Sequence, residues 1–195
     1  MSDLEQIVVE NLPSEWKIRS FGDFCDFMGG TQPPKSAFLY EPREGYTRLL
    51  QIRDFEDDSK ATYISDDGRM RKIGADDISI ARYGASVGRI LTGKEGAINV
   101  AIMTTFPDTT VVDKRFLFFA LNHRSFYRYL TGLGGRAAQA GFNKGEVSRF
   151  RFPLPPLPEQ KKIAHILSTV RRAIEAQERI IQTVPIRFIA NHEFG

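Results

Sequence analysis

A chain of 195 residues that is 42% hydrophobic can bury one good core and carry an appendage or a small second unit. Charged residues at 26% argue against global disorder, the single Cys25 rules out an intrachain disulfide or a cysteine-based metal cluster, and no window approaches the roughly 20 apolar residues of a membrane span. The net charge is only +3 but uneven: residues 131–190 hold ten basic and four acidic groups against seventeen and nineteen in residues 1–130, an excess that fits either a nucleic-acid partner or a solvated basic helix.

The opening MSDLEQIVVENLPSEW has neither a basic n-region nor a long apolar run, so no signal peptide is expected and the cytoplasm is the expected compartment. SEWKIRSFGDFCDFMGG mixes aromatic with polar residues and ends in a Gly pair. GGTQPPK (29–35) must be a loop, because two Gly and two Pro in seven residues break any regular element. YTRLLQIRDF (46–55) reads as a strand and ATYIS (61–65) as a second. DISIARYG (77–84) alternates Ile78 and Ile80 with polar neighbours, which suits a half-buried strand. A Gly-punctuated turn, a short strand around Arg89–Leu91 and a strand in AIMTTF (101–106), closed by Pro107, follow.

Phe116, Phe119, Ala120, Phe126, Tyr127 and Leu130 fall at helical spacing, which predicts one helix over 114–130 with an aromatic buried face. After a Gly-rich stretch, Asn143 is placed to cap a short helix with Glu146 three residues on, flanked by a staple pair, Phe142 and Val147. Short strands and helices without regular alternation predict an α+β globular domain over about residues 12–155.

The last element is the most regular. Four prolines crowd into PLPPLP (153–158), and Pro158, Glu159 and Gln160 then suit a helix start. Ile163, Leu167, Val170, Ile174, Gln177, Ile181 and Val184 form a heptad seam with one polar member, and Pro185 ends it. The pattern fits a helix that pairs with another helix, and equally an amphipathic helix folded back on its own domain. The narrow seam and the stiff proline joint favour pairing.

Catalytic patterns are missing. There is no GxxxxGK[ST], no GxGxxG after a strand and no HExxH, and His123, His165 and His192 lie far apart. The clusters Glu56-Asp57-Asp58, Asp66-Asp67 and Asp76-Asp77 sit in turn-like contexts where Asp caps backbone groups, so no metal and no cofactor are expected. The chain reads as a binder and not as a catalyst.

LPSEW (12–16), GGTQPPK, RYGASVG and above all GGRAAQAGFNKGEVSRFRFPLPPLPEQKKIAHIL, followed by a seam helix, resemble the specificity subunit of a type I DNA restriction–modification system over residues 12–184. The resemblance implies a target recognition domain (1–155) that reads half of a split DNA sequence. It further implies a helical spacer (156–185) that forms an antiparallel coiled coil with a second spacer and docks methyltransferase subunits and, through them, the restriction subunit. The tail, 186–195, is unassigned. Full-length members resemble two such halves in tandem; this chain is either half of a subunit, short by nature or cut from a longer one, or a subunit that works by self-association. A homodimer would have two-fold symmetry and read an inverted repeat.

Base reading requires bidentate side chains at base edges, with Arg suited to guanine and Asn or Gln to adenine, whereas affinity comes from Lys and Arg on phosphates. Thr31, Gln32, Arg82, Tyr83, Ser86, Arg136, Gln139 and Asn143 are the candidate base readers, Gln139 foremost; Asn143 is also a helix cap. Lys35, Arg48, Arg53, Arg89, Lys144, Arg149 and Arg151 are the candidate phosphate contacts. Two other readings compete: an interaction module that uses PLPP as a PxxP ligand together with the coil, and a small enzyme with an unrecognised site.

Overall fold

The structure is a computed structural model that describes residues 12–134 and 141–183. In chain order its elements are β1 (Lys17–Ser20), β2 (Cys25–Gly29), β3 (Tyr46–Leu50), β4 (Tyr63–Ser65), β5 (Lys72–Ile73), β6 (Ser79–Ala81), β7 (Ile90–Leu91), β8 (Gly96–Ile98), β9 (Ile102–Pro107), α1 (Lys114–Leu121), α2 (Arg124–Gly134), α3 (Lys144–Ser148), β10 (Arg151–Leu154) and α4 (Leu157–Thr183). One four-stranded sheet runs β2-β9-β6-β7, a second β4-β3-β8-β5, and β1 pairs antiparallel with β10. The fold is α+β with a long C-terminal helix.

Residue type explains the layers. Ile102, Met103, Thr104 and Thr105 of β9 are all buried, as expected of a strand between two others and covered on both faces. The two threonines stay satisfied there: Thr104 Oγ1 pairs with Ser79 Oγ at 2.7 Å, and Thr105 Oγ1 donates to Ile78 O at 2.9 Å. The main core gathers Phe21, Phe27, Phe126, Phe150 and Phe152, whose rings meet edge-on with centroids 4.7 Å apart for Phe150–Phe152 and 4.8 Å for Phe21–Phe27. Each such pair contributes about 0.5–1.5 kcal/mol beyond area burial. Elements far apart in sequence, from β2 to β10, are thereby drawn onto one cluster.

Four expectations change. The strand predicted over 46–55 stops at Leu50, because Asp54 Oδ2 accepts from Gln51 N at 2.6 Å and turns Ile52–Phe55 into a 3-10 turn. The single helix over 114–130 is two, α1 and α2. Asn122 Nδ2 bonds back to Phe118 O at 2.7 Å and His123 Nδ1 meets Ser125 Oγ at 2.8 Å, so polar self-capping breaks the helix between two buried faces. Tyr127, expected inside, is exposed. β9 also runs through Pro107 rather than ending before it, because Pro107 lies opposite Cys25 at the strand's end. The start of α3 is as expected: Asn143 Oδ1 accepts from Glu146 N at 3.0 Å, Glu146 Oε2 accepts from Asn143 N at 2.8 Å, and Phe142 and Val147 are buried.

The proline run does two jobs. Arg151–Leu154 is a strand paired with β1, with Leu154 and Pro155 buried, and α4 begins at Leu157. Gln160, fully buried, then latches the helix to the domain. Its Oε1 accepts from Asp113 N at 2.9 Å, and its Nε2 donates to Val111 O at 3.0 Å and Pro155 O at 2.9 Å. Trp16 Nε1 donates to Glu159 at 3.2 Å, Ala164 is buried, and the Arg171 guanidinium lies 4.9 Å from the Phe118 ring. The first half of α4 therefore packs on the domain by one face, and the seam lies on another. Ile163 touches the core, but exposure is 39% at Leu167, 52% at Val170 and Ile174, and 73% at Ile181. Val184 and Pro185 lie outside the described residues.

Candidate nucleic-acid interface

The GGTQPPK loop folds where it does because Gly30 carries no side chain. Its N donates to Ile102 O at 3.1 Å and Thr31 N donates to Ile98 O at 3.2 Å; a Cβ on Gly30 would stand 2.1 Å from Asn99 O. Arg71 Nη1 clamps the same loop by donating to Gly29 O at 2.8 Å. Thr31 and Gln32 are left exposed on its outer side.

Arg82 joins this loop to two others. Its Nη1 donates to Val100 O at 3.3 Å, its Nε to Phe142 O at 3.3 Å, and its guanidinium lies 4.9 Å from the Tyr83 ring. Tyr83 forms a β-bridge with Gly141, and a Cβ on Gly141 would come within 2.5 Å of the Tyr83 ring. Ser86 closes the 3-10 turn that follows, Asn143 stands exposed at the start of α3, and Lys144 Nζ reaches Asp26 Oδ1 at 3.0 Å. Thr31, Gln32, Arg82, Tyr83, Asn143 and Lys144 thus come from three distant stretches onto one set of adjoining loops. Arg136 and Gln139, on the same Gly-rich approach to Asn143, lie outside the described residues.

The other candidates form a different neighbourhood around β3. Arg48 is only 21% exposed and ion-pairs with Asp58 and, at 3.8 Å, with the buried Asp54; Arg89 pairs with Glu56. Arg53 leans on Lys60 O at 3.5 Å, and Lys35 stands exposed in the turn after the loop. The charges of Arg48 and Arg89 are therefore balanced within the chain, whereas Lys35 has no ion-paired carboxylate among the described residues. Arg149 Nε donates to Gly145 O at 3.0 Å, and Arg151 is exposed on β10.

Local electrostatics follow the packing. Burial holds the Asp54 carboxyl above its ordinary range against the opposing pull of Gln51 N and Arg48. Asp58 is held low by hydrogen bonds from Lys94 and Arg48. Asp57, Asp67 and Asp77 accept from Ser59 N, Arg69 N and Gly74 N at 2.9, 3.0 and 2.9 Å, the turn-capping use anticipated for the acidic clusters. Sequence reasoning missed Arg71 and Asn99, which hold the loops: Arg71 acts on a backbone oxygen 42 residues away, and Asn99 Oδ1 accepts from Ala101 N at 3.1 Å inside a turn.

A small α+β domain gathers amides, hydroxyls and cations on its loops and is latched to a long helix with a bare apolar seam. The type I restriction modification DNA specificity domain matches residues 13–185, and the chain belongs to that family. Over 157 residues it is 26% identical to the type I restriction enzyme MjaVIII specificity subunit of Methanocaldococcus jannaschii, covering 80% of this chain and 36% of that protein. The putative MjaX specificity subunit of the same organism is 26% identical over 185 residues, covering 82% of this chain and 40% of that one. Among solved structures, the HsdS subunit of Thermoanaerobacter tengcongensis shares the fold with a TM-score of 0.68 at 21% identity, covering 89% of this chain and 42% of that one. A chain from a type I R-M system, described for its complex assembly and conformational transition, has a TM-score of 0.71 at 20% identity over 92% and 44%. The chain spans about two-fifths of the length of these relatives.

Proposed function

We propose that the chain is a non-catalytic reader of one half of a bipartite double-stranded DNA target, acting in the cytoplasm as a specificity subunit of a type I restriction–modification complex. The observation that carries this is the Arg82 junction, where Arg82 bonds Phe142 O, Tyr83 bridges Gly141, and the Arg82 Nη1 stands 3.0 Å from where a Cβ on Gly29 would lie, so the Gly29–Gln32, Tyr83–Ser86 and Gly141–Lys144 stretches adjoin. Arg82 has Nε and Nη1 committed to backbone oxygens, which sets its plane and leaves Nη2 as the group to offer guanine. Thr31, Gln32 and Asn143 supply the adjoining polar edges, and Lys144, exposed beside Asp26, the phosphate contact.

In this reading, α4 pairs antiparallel with a second spacer along Leu167, Val170, Ile174, Gln177 and Ile181, docks the methyltransferase subunits, and places one recognition domain at each end. A helix of 27 residues is ~40 Å long, close to the roughly 34–36 Å of one DNA turn. A homodimer so built reads an inverted repeat with an unread centre. The competing PxxP reading is disfavoured because Leu154 and Pro155 are buried and their strand is already paired with β1.

The test is duplex binding by the full chain, alone and with methyltransferase subunits, across a salt series. Log affinity should fall linearly with log salt as counterions are released. Absence of binding to any duplex under both conditions overturns the proposal.

A further inference from the structure

A cavity that shares no lining residue with the Arg82 junction, with a volume near 530 Å³, lies between Lys35 to Tyr40, the start of the 3-10 turn Ile52–Phe55 with Gln51 before it, and the Ser59 to Thr62 stretch. That is within the range of about 300–1,000 Å³ typical of small-ligand clefts. Among the described residues its walls carry three cations, Lys35, Arg53 and Lys60, two rings, Phe38 and Tyr40, and no carboxylate. Among the described residues neither Lys35 nor Lys60 has a carboxylate within ion-pair distance, and the nearby Asp57 is engaged by Ser59 through both its N, at 2.9 Å, and its hydroxyl.

The rings are placed by backbone. Leu39 and Tyr63 exchange hydrogen bonds of 2.9 and 2.8 Å, so Phe38 and Tyr40, flanking Leu39, project to one side, the side of the cavity. Phe38 is half-buried there, whereas Tyr40 is 71% exposed, a large ring left in water at the rim of a cationic hollow. The Gln51 carboxamide, held by its bond to Thr62 Oγ1 at 3.2 Å, adds a polar edge at the base.

We propose that this cavity binds one nucleotide, its phosphate among Lys35, Arg53 and Lys60 and its base laid against Tyr40. Lys35 and Lys60, with no ion-paired carboxylate among the described residues, suit a phosphate, Arg53 adds a third cation although its Nε also stands 4.0 Å from the buried Asp54 Oδ1, and an exposed ring beside them suits any base, since every base has a stacking face. The same chemistry arrives from two sources, a free nucleotide or an unpaired nucleotide of DNA. The site goes beyond the reading of paired duplex proposed above and does not depend on it.

Two 2-aminopurine probes separate the sources: the free deoxynucleoside monophosphate, and a duplex with a single bulged 2-aminopurine. Each is titrated with the full chain and with its Tyr40→Phe, Tyr40→Ala and Lys60→Ala variants, all checked for an unchanged thermal melt. The expected result is saturable quenching of at least one probe, kept in Tyr40→Phe and weakened roughly tenfold in both alanine variants, the scale of one lost stack or phosphate contact. Quenching of the free monophosphate assigns a free nucleotide; quenching of the bulge alone assigns a DNA nucleotide. No quenching of either probe, or quenching that survives either alanine substitution, overturns the proposal. An ordinary paired duplex is followed in parallel, so loss of probe binding with duplex binding intact removes this site and leaves the recognition reading standing.

Discussion

Cys25 is a thiol with nowhere to ionise. It is buried in β2 beside β9, facing the main core, and burial pushes its pKa up to about 12, so at neutral pH the reactive thiolate is absent. Native protein should resist alkylation by iodoacetamide for hours and be labelled rapidly once unfolded, which mass spectrometry reads directly. Asp54 is the converse case, a carboxyl that burial holds above its ordinary value in the folded state. The folded state then binds more protons than the unfolded one, so this group's contribution to stability falls as pH rises from the ordinary carboxylate value through the raised one. Asp54→Asn keeps an acceptor for Gln51 N and removes the titration. Its unfolding free energy relative to the parent should therefore rise with pH over that window, as denaturant titrations in steps from pH 4 to pH 7 would show. Neither environment was legible in the sequence, where FCDF and RDFED look like surface-alternating and turn-like text; for Cys25 the reason is that its neighbouring strand, β9, lies about 80 residues on.

At the scale of elements, the junction of β10 and α4 is the informative piece. The prolines end a strand and start a helix, but the angle between domain and helix is held by Gln160, whose carboxamide meets three backbone groups. Gln160→Leu strands Asp113 N, Val111 O and Pro155 O in the interior, and should cost about 3 kcal/mol, a fall of roughly 6–12 °C in Tm measurable by calorimetry. The helix also resolves two readings that its periodicity leaves open, since it both packs on α1 and keeps a seam in water. Gln177 interrupts that seam, and a polar seam residue sets register at a cost in stability. Gln177→Leu should tighten self-association by about tenfold in sedimentation equilibrium, with a changed register as the alternative result read by crosslinking.

For the whole molecule, the exposed seam from Leu167 to Ile181 is a surface that water disfavours and a second copy of α4 would cover. Sedimentation at tens of micromolar should give a species of twice 22.1 kDa, and methylation profiling of DNA from cells carrying the complete system should return an inverted repeat. A strict monomer, with and without DNA, counts against both statements. The two neighbourhoods of cations also divide at this scale. Those at the Arg82 junction serve loop convergence, and those around β3 are split between internal pairing, at Arg48 and Arg89, and the open cavity beside Lys35.

The sequence by itself determined the features that depend on neighbours in the chain: the Asn143–Glu146 cap, the GGTQPPK loop, the strands over 61–65 and 77–84 in outline, and the 27-residue helix with its heptad seam. Its motifs in order also carried the family. Only the tertiary structure decided which cations are free and which loops meet. Arg48 and Lys35 look alike as text, and differ because folding brings Asp54 and Asp58 to one and, among the described residues, no carboxylate to the other. Arg82 looked like one loop residue among several until the fold set three backbone segments around it. Caps and periodicity are written within a few residues, whereas charge balance and loop convergence are sums over long-range contacts.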